Sequence, residues 1–133
     1  MKHKVLTVKQ PYASLLVGGV KDVENRSRRT NYRGTVLIHA GARMHDVVSF
    51  LRNRHEFTVE EITIMTQVNE VEENDLFGCI VGSVEIVDCV QDSTSPWAER
   101  GQWHWACRNA KVFDRPIRNV KGRLGLWDWD GDI

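Results

Sequence analysis

Apolar and polar positions along this chain switch between a two-residue and a three-to-four-residue period. Val5-Leu6-Thr7-Val8 reads as a short strand. Gln10-Pro11 then opens a helix, because proline is tolerated in a first turn whose N–H groups have no intrahelical acceptor. Tyr12, Ala13, Leu15 and Leu16 give that helix an apolar face, and Gly18-Gly19 stops it. Residues 21–28 are densely charged and read as extended, a composition suited to the lining of a surface cleft. Gly34 begins a buried strand, Thr35-Val36-Leu37-Ile38-His39-Ala40. Two helical patterns follow. Val47, Val48 and Leu51 share one face over residues 45–54; Val59, Ile62 and Met65 share another over 58–69, with Thr58 as N-cap and Glu61 completing a capping box. Three strands close the chain, at Cys79–Val90, Trp103–Val112 and Leu124–Trp129.

The predicted order is strand, helix, strand, two helices, then three strands. Late strands without intervening helices favour an antiparallel, barrel-like sheet over a doubly wound parallel one. The fold class expected is therefore α+β, a β-barrel with flanking helices. No repeat or linker-like stretch divides the 133 residues, so residues 1–133 are expected to form one domain.

Charge changes this picture more than composition does. The formal net charge is zero, yet residues 1–34 carry eight basic side chains against two acidic ones, an excess of +6. Residues 55–76 carry seven acidic side chains and no Lys or Arg. That asymmetry describes one basic face joined to an acidic one, or two ordinary solvated faces. The basic side is the candidate surface for a polyanion, and the acidic helical face over 56–75 is a candidate protein-partner surface. Cys79, Cys89 and Cys107 are an odd set without a CxxC pair, which argues against a disulfide framework and fits a reducing, cytoplasmic setting. The sequence shows no leader-like start and no bilayer-length apolar run, so no membrane association is expected.

Candidate chemistry concentrates in Gly19-Val20-Lys21-Asp22-Val23-Glu24-Asn25-Arg26. In a fully extended segment Glu24 and Arg26 share a side while Lys21 and Glu24 oppose each other. A turn or bulge would let Lys21 and Glu24 converge instead. An ammonium, a carboxylate and a guanidinium together can bind an anion or move a proton; as a surface ion-pair network they would contribute little. Trp105 and Trp127 lie in strands and are expected in the core. Trp97 follows Ser95-Pro96 in a polar loop and is expected to be exposed, where an indole can stack on a base. His39 ends an apolar strand and reads as a hydrogen-bonded barrel histidine. His39 and His45 have no metal-site spacing with any cysteine, and no nucleotide or cofactor fingerprint is present, so neither metal nor cofactor is implied. Arg33-Gly34 and Lys121-Gly122-Arg123 are basic glycine turns able to approach a phosphate.

Together these stretches resemble the ASCH (activating signal cointegrator homology) family. The resemblance rests on residues 6–15 with their Gln10-Pro11-Tyr12, and on residues 19–26, which match a GxKxxExR signature. Asn31-Tyr32-Arg33-Gly34 with the strand after it, Trp103-His104-Trp105 and Gly122-Arg123-Leu124-Gly125-Leu126-Trp127 extend it. It implies a PUA-like β-barrel, or pseudo-barrel, and a module that binds RNA, another single-stranded nucleic acid or a nucleotide-like ligand. On that reading Lys9, Arg26, Arg28, Arg29 and Arg33 contact phosphates. Gln10, Lys21 and Glu24 form the cleft floor and hydrogen-bond one extruded or terminal base, with Tyr12 and Trp97 as aromatic surfaces. The alternative implied by some small relatives is an amidohydrolase that deacetylates acetylcytidine with a lysine, a threonine and a glutamate. Lys21 matches that lysine, but Glu24 stands where the threonine belongs, and Glu85 and Glu99 are the candidates for the third residue. As an enzyme the protein would use Lys21 as nucleophile or base, with Glu24 relaying protons. A protein-interaction module is the third reading.

Overall fold

The computed structural model describes residues 1–44 and 76–133. Six strands and one helix follow in order: β1 (Lys2–Gln10), α1 (Tyr12–Val17), β2 (Val23–Arg26), β3 (Gly34–Met44), β4 (Ile80–Val90), β5 (Trp103–Ile117) and β6 (Leu126–Asp130). They form one curled sheet, a half-barrel in the order β2-β5-β4-β3-β1-β6, consistent with a PUA-like barrel. The helical patterns expected over 45–54 and 58–69 lie outside the described residues, so among those described α1 alone flanks the sheet.

Four of the five strand pairs are antiparallel, as the run of late strands implied. The exception is that β1 pairs with β3 in parallel, Val5 opposite Leu37 and Thr7 opposite His39. A parallel pair needs a crossover, and the stretch through α1 and β2 supplies it. The same pairing explains why β1 and β3 read as nearly continuous apolar runs. Leu6, Val8, Val36, Ile38 and Ala40 face a core shared with Ala13, Leu16 and Val17 of α1, while Val5 and Leu37 join a second cluster with Ile80 and Trp127 on the opposite face. Strands covered on both faces cannot alternate cleanly.

The helix has only six residues, and its ends are held by specific hydrogen bonds. Gln10 Oε1 accepts from the Ser14 backbone N–H at 3.1 Å, and Gln10 Nε2 donates to Ser14 Oγ at 2.9 Å. At the other end Gly19 takes φ +77°, and the Gly19 and Val20 N–H groups return to the carbonyls of Leu16 and Leu15. This paired closure favours glycine at its left-handed position. The Lys21 N–H also donates to Leu15 O, at 3.0 Å, so the turn aims Lys21 back toward the sheet. Among the described residues no helix is long and apolar enough to cross a membrane.

Candidate functional site

The turn after α1 and the start of β2 bring Lys21, Glu24 and Arg26 into one chain of charge. Lys21 is 3% exposed; its Nζ donates to Val23 O and, at 3.2 Å, to Glu24 Oε1. The other carboxylate oxygen, Oε2, accepts from Arg26 Nε at 2.9 Å and pairs with NH2 at 2.9 Å. Arg26 NH2 also donates to Thr7 O of β1 at 2.8 Å. Lys21 Nζ further lies 5.3 Å from the centre of the Tyr12 ring. The convergence of Lys21 with Glu24 follows from the turn, because Lys21 precedes β2 and escapes its alternation. Within β2, Glu24 and Arg26 share a side as expected.

These groups form part of a cleft of about 670 Å³ that is also lined by Lys9, Tyr12, Glu99, Gln102, Arg123 and Leu124. Of the residues expected at a site, the fold therefore gathers Lys9, Tyr12, Lys21, Glu24 and Arg26. Gln10 is not among them: it is fully buried and both ends of its amide serve Ser14. Arg28 and Arg29 are exposed just beyond β2, past the cleft-lining Ser27. Arg33 points elsewhere, donating to Thr30 O and Tyr32 O and lying 3.8 Å from Asp88.

Trp97 corrects a second expectation, that it is exposed. It is 2% exposed, its indole N–H donates to Val20 O at 3.0 Å, and its carbonyl accepts from Asn25 Nδ2 at 2.9 Å. The polar loop around it does not float in solvent. It folds onto residues 20–25, leaving the indole face no room for a base. Trp105 and Trp127 are buried as expected, with their N–H groups satisfied by Arg28 O and Thr7 Oγ1. Glu85 accepts from Asn109 Nδ2 and Arg108 Nε on β5 and does not line the cleft, whereas Glu99 does.

Arg123, Gln102 and Leu124 complete the site without a sequence signal of their own beyond the glycine-flanked basic turn at 121–123. They reach the cleft because β6 pairs with β1 at the sheet's end and the 92–102 loop packs on β2. Cys107, beside β2, is held as a thiol. Burial first, and then the charge of Glu24, push its thiol up to about 12, against the opposing pull of Lys21.

Comparison with known proteins bears directly on this arrangement. The ASCH domain family model matches residues 6–117, from the second half of β1 to the end of β5. The chain belongs to the ASCH domain family. Activating signal cointegrator 1 of Homo sapiens is 33% identical over 147 aligned positions, covering 96% of this chain and 22% of that protein. The Mus musculus protein of the same name is 36% identical over 147 positions, with the same coverage. The ASCH chain thus spans about a fifth of the length of the curated relatives it matches.

Proposed function

We propose that the cleft binds a single-stranded nucleic acid, RNA in the first instance, by holding one nucleotide over the Lys21–Glu24–Arg26 floor. The observation that carries this reading is the placing of Lys9, Arg26 and Arg123 around one cleft that also has an aromatic and an aliphatic wall. The cations supply phosphate contacts that fix position, and polar side chains of the cleft wall supply hydrogen bonds to a base. Membership of the ASCH family supports the same direction. The acidic 56–75 segment, the candidate protein-partner surface, lies outside the described residues.

Three cations neutralising three phosphates of a single strand give a slope of log affinity on log salt of about −2. Raising salt from about 50 mM to about 200 mM should therefore weaken binding of a short single-stranded RNA by roughly 15-fold. The double variant Lys9→Ala/Arg123→Ala should flatten that slope to about −0.7, one remaining contact. Salt-independent affinity, or no binding at about 50 mM salt, would overturn the proposal.

The geometry favours binding over amide hydrolysis. A nucleophilic lysine needs a free lone pair, and the Lys21 ammonium instead donates to Val23 O and Glu24 while facing the Tyr12 ring.

A further inference from the structure

The turn that carries Glu99 and Gln102 is held to the cleft wall through its backbone. Glu99 N–H donates to Asn25 Oδ1 at 2.9 Å, and Asn25 Nδ2 donates to Trp97 O. His104 Nε2 lies 2.7 Å from Glu99 O, which also accepts from Gln102 N–H at 3.3 Å. Trp97, anchored through its indole to Val20, braces the turn from below. Every one of these bonds to Glu99 and Gln102 uses the backbone. Among the described residues, the Glu99 carboxylate and the Gln102 amide have no hydrogen-bond or ion-pair partner, and both line the cleft. The contrast with Glu24 is sharp, since both Glu24 oxygens are already engaged by Lys21 and Arg26.

A carboxylate left unpaired among cleft-lining cations is poorly placed to hold a phosphate, which it repels. It is well placed to accept hydrogen bonds from a neutral group carrying donors. We infer that the Glu99–Gln102 turn selects guanine as the base held in the cleft. This rests on reading the cleft as a single-stranded nucleic-acid site. The base-pairing edges decide between bases. Guanine offers two adjacent donors, N1–H and N2–H, to the two oxygens of Glu99, and its O6 accepts from the Gln102 amide. Adenine and cytosine each offer one amino donor beside a ring nitrogen whose lone pair repels the carboxylate. Uracil offers one N–H between two carbonyl oxygens, which repel it on both sides. Leu124, 98% exposed at the cleft and next to Arg123, gives an apolar surface for the base's face without competing for its edge.

The experiment is fluorescence anisotropy of four labelled ten-uridine RNAs whose fifth position is G, A, C or U, with wild type, Glu99→Gln and Gln102→Ala. Wild type should bind the single-G RNA about tenfold tighter than the all-U RNA, the scale of one good bidentate base contact. Glu99→Gln should remove that preference, and it should tighten all-U binding, because it deletes a charge that repels phosphate while the cleft cations stay in place. Gln102→Ala should reduce the preference in part. Equal wild-type affinity for all four RNAs overturns the guanine assignment and leaves the nucleic-acid reading standing. A G preference that survives Glu99→Gln overturns the role of Glu99. No binding of any of the four overturns both readings. The wild-type comparison needs no variant, so it decides the question even where a substitution impairs folding.

Discussion

Lys21 shows how one residue's setting fixes what its removal does. A lysine at the open edge of a cleft would tolerate replacement by methionine, whose stem is similar. Here the ammonium is buried and satisfies one oxygen of a carboxylate that is itself nearly enclosed. Lys21→Met leaves Glu24 Oε1 without its charged donor, and Arg26 continues to serve only Oε2. The loss should be about 2–3 kcal/mol, read from urea unfolding, because a charged hydrogen bond is broken in a desolvated place. A loss below about 0.5 kcal/mol would show that water replaces the ammonium. The same variant should weaken RNA binding, and wild type should release no cytidine from acetylcytidine. Robust turnover by wild type, abolished in Lys21→Met, would promote the hydrolase reading.

At the scale of elements, the cleft depends on α1 lying directly on the sheet. The contact is close enough to exclude a methyl group at Gly82 of β4. A Cβ built there would stand 2.1 Å from Lys111 O and 2.9 Å from Val17 Cβ. Neither neighbour can yield cheaply: one is backbone of β5, and the other is a β-branched side chain in the core of α1. Gly82→Ala should therefore cost about 3 kcal/mol or more, seen as a lower urea midpoint, and it should loosen the turn that delivers Lys21. A midpoint unchanged from wild type would mean that both β5 at Lys111 and α1 at Val17 can shift to admit the methyl. Among the described residues the sequence pattern marked nearly every element near its observed place, because strand and helix periods are local properties. It missed the length of β5, whose outer half is largely exposed and so carries no alternating apolar pattern. It also missed the parallel β1–β3 pairing, which is a matter of where α1 returns the chain.

Across the whole molecule, His39 joins three strands and the segment before β6. The Trp127 indole donates to Thr7 Oγ1 at 3.1 Å, and the Thr7 hydroxyl lies 3.2 Å from His39 Nδ1. His39 Nε2–H then donates to Val120 O at 2.7 Å. In the neutral ring Nε2 carries the proton, because Val120 O can only accept, and Nδ1 accepts from the Thr7 hydroxyl, so both nitrogens are used. Burial holds its pKa below the ordinary 6.5, against the opposing pull of the Val120 and Gly78 carbonyls. The unfolded chain takes up the proton first as pH falls, so this contribution to stability is present above pH 6.5 and lost below it, toward the lower folded value. Wild type should lose more stability than His39→Gln between about pH 7.5 and about pH 5.5 in urea unfolding. Equal losses in the two proteins would exclude His39 as the cause.

The sequence by itself determined the sheet-rich fold class, the short helix with its glycine stop, the family, and the clustering of Lys21, Glu24 and Arg26 in one segment. Each of these depends on residues close together in the chain or on a motif read in order. The tertiary structure alone decided which other groups share their cleft. Gln10 left the candidate set because its amide is spent on Ser14, and Trp97 left because its loop folds onto residues 20–25. Arg123 and Gln102 entered, and Glu99 was chosen over Glu85, because strand pairing and the Asn25 clamp bring distant segments to one wall. Exposure and hydrogen-bond partnership are properties of the packed molecule, and no local pattern of side chains encodes them.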